Sequence, residues 1–249
     1  FFPGLWVISL LVAIYEQYKA FKLAGHRIVA WPCYVAMLVS VPLFALNVFN
    51  SFLLLIGVVF LSFTLVSLVV LLRREAELTD LMVSLLPIFS IVLPGLCMLQ
   101  LLGLDSLPLQ RLLLSLAFII PVMGDSGAFF IGSRFGKRKL SPSVSPNKSV
   151  EGAVAGLVFS VLSSVIACLI ARLIGNVVIP LWHSALFGLI GGILGQIGDL
   201  FASAIKRHCK IKDFGNIFPG HGGMMDRLDS ILFVSVLMYI YYLVGFAKI

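Results

Sequence analysis

The chain has 249 residues, of which 60% are hydrophobic and only 12% charged, and its mean hydropathy is +1.10. A soluble domain carries about 25% charged residues, so this much apolar side chain does not fit inside one water-soluble core. The formal charge is +7, but the cations lie between apolar blocks and are not interleaved with aromatics. That pattern points to membrane topology and anionic phosphate ligands and sets nucleic acid aside as a partner.

In lipid only helices and closed barrels satisfy their own backbone. The apolar runs here are continuous and do not alternate, so the fold class expected is an all-α polytopic membrane protein. A crossing needs about 20 apolar residues, which divides the chain into about eight transmembrane helices, or nine if a kinked block splits or residues precede Phe1. The expected crossings are 1–15, 28–46, 52–72, 81–102, 109–132, 150–173, 181–202 and 228–246. The first block lacks a basic n-region and a small-residue cleavage site, so it reads as a span and not as a cleaved leader. It runs on into Glu16, Lys19 and Lys22, read as an amphipathic surface turn. Asn47, Asn50 and Ser51 break the second span from the third, and Arg73, Arg74, Glu75, Glu77 and Asp80 form the next connection. Pro87 and Pro94-Gly95 are expected to kink the fourth span. A basic connector fills 133–149, with a turn at Ser145-Pro146-Asn147 and Ser149 as N-cap of the sixth span. Lys148 and Glu151, three apart, are placed to pair. By role, 1–105 reads as a scaffold of N-terminal spans and 106–249 as a catalytic region with motif loops at 125–152 and 195–229.

Basic residues alternate in side. Lys19, Lys22 and Arg27, then Arg73 and Arg74, then Arg134, Lys137, Arg138, Lys139 and Lys148, then Lys206, Arg207, Lys210, Lys212 and Arg227 fall in alternate connections, against Arg111, Arg172 and Lys248 on the other side. The positive-inside rule therefore puts both motif loops on the cytoplasmic face. The four cysteines form no C-x-x-C pair. Cys33, Cys97 and Cys168 read as small apolar side chains inside spans, and Cys209 lies in the basic loop without the neighbours of a zinc site.

The segment 203–229 concentrates the chemistry: Lys206, Arg207, Lys210, Lys212 and Arg227, the carboxylates Asp213, Asp226 and Asp229, and the run Pro219-Gly220-His221-Gly222-Gly223. Arg grips a phosphate bidentately and Lys acts as a point charge, while a glycine turn offers backbone N–H groups to an anion. Asp125 and Asp199 sit near the ends of apolar spans; an ionised Asp costs about 2.5 to 3.5 kcal/mol at a helix centre, so such residues call for a partner or a purpose. Asp199 follows Gly195-Gln196-Ile197-Gly198, small residues that admit a neighbouring helix or a ligand. Asp226 and Asp229 share one face of a helix start, where capping is the plain alternative. One or two carboxylates joined by substrate phosphates suit Mg²⁺, and Asp199 with Asp226 is the expected metal centre. Asp125 and Lys148 are the candidates in the second loop, whose plain alternative is a basic connector. His221 stands between a proton-transfer or phosphate-donor role and a structural one, and His26, His183 and His208 read as surface or interface residues. No Walker or dinucleotide-binding fingerprint and no Ser-His-Asp set is present.

The pattern Ser203-Ala-Ile-Lys206-Arg207, Lys212-Asp213-Phe-Gly215, Phe218-Pro219-Gly220-His221-Gly222-Gly223-Met-Met-Asp226-Arg227-Leu-Asp229 resembles the signature of the phosphatidate cytidylyltransferases (CDP-diacylglycerol synthases). The stretch from Asp125 to Gly152 and the Gly195–Asp199 segment are also similar to that family, whereas Asn147 and Ser149 stand where Lys or Thr variants are expected. The resemblance implies that CTP and phosphatidic acid give CDP-diacylglycerol and pyrophosphate, with Mg²⁺ as cofactor; a monovalent cation such as K⁺ would also suit so many phosphate charges. It implies catalytic roles for Asp199, Asp226, Lys206, Arg207, Lys212, Asp213 and Arg227, and substrate binding by Asp125, Lys148, Ser203, His221, Gly222, Gly223 and Asp229. The partners implied are CTP, phosphatidic acid and the bilayer of a bacterial inner membrane; a homodimer, if it forms, would use the less charged N-terminal spans. Two alternatives stay open: a CTP-dependent lipid or polyprenol kinase, and a transporter of a phosphorylated anion. A CDP-alcohol phosphotransferase lacks its D-G-x-x-A-R start here.

Overall fold

Long apolar runs give long helices. The computed structural model describes residues 2–45, 51–175, 177–220 and 222–246. The predicted break at Asn47 and Asn50, and also His221 and Lys248, lie outside the described residues. The chain divides into two compact units, Phe1–Gln100 with Ile205–Leu228, and Leu101–Ala204 with Asp229–Ile249.

The first unit contains α1 (Phe2–Leu23), α2 (Trp31–Ala45), α3 (Ser51–Leu71) and α4 (Leu78–Pro87), followed by a π-helical segment Ile88–Val92 and α5 (Leu93–Leu101). The predicted kink of the fourth span takes this form. Pro87 and Pro94 flank the π-helical turns, and each lacks the N–H that would carry the α-helical ladder through. Leu10, Ile14, Phe21, Met37, Ile88, Ile91 and Met98 are fully buried in the core of this unit. Trp6 Nε1 donates to the Gly95 carbonyl at 3.1 Å, and Tyr18 donates to the Ser84 carbonyl at 2.8 Å. A Cβ on Gly95 would lie 2.5 Å from Leu10 Cδ1, so the glycine lets α1 close on α5.

The second unit contains α6 (Leu107–Phe135), a hairpin of β1 (Lys139–Ser141) and β2 (Ser145–Ser149), α7 (Val150–Gly175), most of α8 (Leu181–His208) and most of α9 (Met225–Tyr241), which ends in a π-helical segment Tyr242–Phe246. Helices α6 and α7 run antiparallel along a seam of small residues. Ser160 donates to the Ile120 carbonyl at 3.0 Å, and a Cβ on Gly124 would meet Ser160 Oγ at 2.5 Å. Helix α8 lies against the same seam, and Gln196 donates to the Ala153 carbonyl at 2.9 Å.

Among the described residues, six helices are long and apolar enough to cross a membrane: Leu53–Leu71, Leu78–Leu101, Leu107–Phe135, Val150–Gly175, Leu181–His208 and Met225–Val244. Trp31–Leu43 is shorter, and α1 carries Glu16, Lys19 and Lys22 in its second half. Length and composition therefore support six crossings here, whereas the sequence predicts about eight. The helical membrane architecture itself stands.

Three local expectations change. The basic connector folds as the antiparallel hairpin β1–β2, with the turn at Pro142–Val144, so Ser145–Asn147 is strand and not turn. Proline fixes the φ that a turn needs, and Pro142 takes that place. Glu151 accepts the backbone N–H groups of Lys137 at 3.0 Å and Arg138 at 3.2 Å, tying the hairpin to the first turn of α7, while Lys148 turns to Asp199. Ser149 caps α7 as expected, accepting the Gly152 N–H at 3.1 Å. Finally, α8 runs to His208, so Ser203, Lys206 and Arg207 are helical. It stops because Lys210 adopts a left-handed φ of 55°. The Ile211 N–H then reaches the Lys206 carbonyl at 2.9 Å and the Lys210 N–H the Arg207 carbonyl at 3.1 Å, the pairing of a Schellman cap.

Candidate active site

In the first unit the site is built from the end of α8, the loop 209–224 and the start of α9. Lys206 and Arg207 stand in the last turn of α8, where cations complement the carbonyl end of the helix. Asp226 is the second residue of α9. Its carboxylate accepts from Lys206 Nζ at 2.7 Å, from the Phe214 N–H at 2.9 Å and from the Gly223 N–H at 3.0 Å. The two charged side chains are 15% and 7% exposed. Lys206 Nζ also stands 5.6 Å from the centre of the Phe214 ring, within cation–π range. One acid thus binds the loop to both helices that bound it.

The glycines make that loop possible. Gly220 and Gly222 have φ of 75° and 86°, which only glycine adopts freely. The turn closes with the Phe218 N–H donating to the Gly222 carbonyl at 3.0 Å. A Cβ on Gly222 would lie 2.9 Å from Asp226 Oδ2. The N–H of Gly223 faces Asp226. Lys212 and Asp213 are exposed on the loop, as are Arg207 and Arg227 on the helices; Ser203 is half-buried. Cys209 is buried directly after α8, and burial pushes its thiol up from the ordinary range.

Glu16 belongs to this cluster, and the surface turn predicted for it is corrected. It is 3% exposed, and its Oε2 accepts the Met225 N–H at 2.9 Å. Both carboxylate oxygens would be 2.5 Å from a Cβ on Gly223. Its place in the first helix hid it from motif reasoning. The available signal was a lone carboxylate beside an apolar block, which is costly without a partner. His26 and His208 also meet, Nε2 to Nε2 at 3.0 Å, with the Asp80 carboxylate 3.6 Å from His26 Nδ1. His183 is buried beside the Tyr241 hydroxyl at 3.2 Å.

In the second unit Lys148, at the end of the hairpin, forms an ion pair with Asp199 of α8 and lies within electrostatic reach of Asp125 on α6. These three predicted residues come together from three elements. Gly198 sets α8 close to α9: a Cβ there would lie 2.5 Å from the Asp229 carbonyl. Asp229 itself is buried at 6% exposure.

Among the described residues, no group of three or more His, Cys, Asp or Glu side chains is arranged to hold a metal alone. A carboxylate has about four acceptor positions. In the first unit, the three bonds to Asp226 leave it room for one ligand contact through Oδ1. In the second unit, Asp199 pairs with Lys148 through Oδ2. A single carboxylate oxygen of this kind is a donor that Mg²⁺ accepts alongside substrate phosphates.

Known proteins resemble the chain over about half of its length. The chain is 38% identical over 115 residues to a phosphatidate cytidylyltransferase of Bacillus subtilis (strain 168), covering 46% of this chain and 41% of that protein. It is 38% identical over 124 residues to one from Staphylococcus saprophyticus and 36% identical over 124 residues to one from Staphylococcus aureus (strain COL), each match covering 50% of this chain and 46% of the relative. The aligned stretch thus spans less than half the length of these relatives. A model described as the cytidylyltransferase family matches residues 1–244, nearly the whole chain, and the chain belongs to that family.

Proposed function

We propose that the chain transfers the cytidylyl group of CTP to phosphatidic acid, leaving CDP-diacylglycerol in the membrane and releasing pyrophosphate. The observation that carries this reading is the part-buried Lys206–Asp226 pair that organises the glycine loop, in a chain of this family whose relatives bear that activity in their names. A phosphate oxygen of the lipid attacks the α-phosphorus of CTP in line. The bond from that phosphorus to the bridging oxygen breaks, and its electron pair leaves with pyrophosphate. No covalent intermediate on the protein is required.

The side chains bind and orient. Lys206, Arg207, Lys212 and Arg227 would hold the triphosphate and the lipid phosphate, as cations stabilise charge that builds on phosphoryl oxygens. Lys148 would hold a further phosphate group, with Asp125 beside it in the same substrate-binding region. Asp199 and Asp226 are the oxygen donors proposed for Mg²⁺, which when bound neutralises phosphate charge in the transition state. The apolar helices would keep the acyl chains in lipid, and the positive-inside rule supports head-group chemistry on the cytoplasmic side.

The test is pyrophosphate release from CTP by the purified full chain in micelles, with and without phosphatidic acid and Mg²⁺. Release that requires both supports the proposal. Release of CDP in its place assigns a lipid kinase, and uptake of a phosphorylated anion into proteoliposomes without CTP turnover assigns a transporter.

A further inference from the structure

The most deeply buried carboxylate near the site is one that the proposed chemistry does not use. Glu16 lies on α1, 209 positions before its hydrogen-bond donor Met225. Its Oε2 is occupied, and its buried Oε1 has no hydrogen-bond partner. The loop is shaped around this group, because a side chain at Gly215 or Gly223 would occupy the space of the carboxylate.

We propose that Glu16 is a positioning residue for Asp226: by taking the first amide donor of α9, it leaves the Asp226 carboxylate to Lys206 and the loop amides. Helix α9 begins at Met225, and the first N–H groups of a helix have no partner within it. Their natural acceptor is an acidic side chain in the first turn, and Asp226 is the acid at hand. If it folded back onto those donors it would release Lys206, Phe214 and Gly223 together. With the Met225 N–H already bound to Glu16, that competing arrangement is closed. The glycines at 215 and 223 leave the space that the carboxylate fills.

The inference concerns the conformation of Asp226; its catalytic consequence rests on the role proposed above for that residue. The test uses the full chain in micelles without substrate, and reads hydrogen–deuterium exchange at the Phe214 and Gly223 amides. In Glu16→Ala those two amides should exchange about tenfold faster, the equivalent of one lost hydrogen bond, while Glu16→Gln, which keeps an acceptor oxygen, should stay near the parent chain. Turnover should follow the same order, with kcat falling in Glu16→Ala and the KM for CTP little changed. Should Glu16→Ala not fold, Gly223→Ala displaces the carboxylate by a methyl group and should speed the Phe214 amide alike. Unchanged exchange in the folded variant, or equal damage from Gln and Ala, overturns the inference. The activity reading is judged apart: it fails if Asp226→Asn releases pyrophosphate at the parent rate, whatever the exchange shows.

Discussion

Asp226 accepts three hydrogen bonds with a side chain only 7% exposed, so its charge is a structural as well as a chemical quantity. Asp226→Asn keeps the shape but leaves the Lys206 ammonium without its counter-charge. We expect a loss of about 1–3 kcal/mol in stability, read by thermal unfolding in micelles, and a fall of about 100-fold or more in pyrophosphate release. Lys210 offers the opposite sign. Its left-handed φ of 55° costs a residue with a Cβ about 1–2 kcal/mol, part of which glycine would recover. Lys210→Gly should raise stability by about 0.5–1 kcal/mol at the end of α8, checked by the same unfolding measurement, with turnover preserved. A fall in stability would mean that the Lys210 side chain does more than close the helix.

Elements decide how closely these residues approach. Helices without a hydrophobic driving force between them associate through small residues and backbone proximity, and α8 shows this at Gly198, where a Cβ would lie 2.5 Å from the Asp229 carbonyl of α9. Backbone cannot move aside as a side-chain tip can. Gly198→Ala should therefore destabilise the chain by about 1–3 kcal/mol. It should also lower turnover, because Asp199 is the next residue. A variant with unchanged unfolding would show that α8 and α9 are not packed this tightly. The hairpin acts in the same way on Lys148: Ser149 caps α7 and Glu151 holds the strand backbone, so the lysine projects from a fixed base toward Asp199.

For the whole molecule the decisive property is sidedness. Two crossings, α7 and α8, separate the hairpin from the loop after His208, so both should face the same compartment, which the positive-inside rule predicts to be the cytoplasm. Single cysteines introduced at Lys139 and at Asn216 should be labelled by an impermeant reagent from the same side of sealed vesicles, and one at Asp105 from the other side. Labelling of Lys139 and Asn216 from opposite sides would break the span order after α6. The two compact units have interleaved sequence, since 205–228 belongs with the N-terminal helices. The glycine loop is thus built on α1, far from it in sequence.

By itself the sequence determined the helical membrane class, the order of the long apolar helices, the N-cap at Ser149 and that Asp125, Lys148, Asp199, Lys206 and Asp226 are charges near the ends of apolar runs that call for partners. Each of these rests on local signals: apolar run length, a capping side chain, or a charge too costly to leave near lipid unpaired. Sequence spacing misjudged the connector 133–149, because strands of three and five residues around a turn in a short polar stretch carry no periodic signal. It also placed the end of α8 six residues early, since polarity marks where lipid ends and not where hydrogen bonding ends. Only the tertiary structure decided which cation meets which acid, Lys148 with Asp199 and Lys206 with Asp226. It alone showed that Glu16 of the first helix caps the last. Such pairings are set by packing between elements distant in the chain, and no local spacing encodes them.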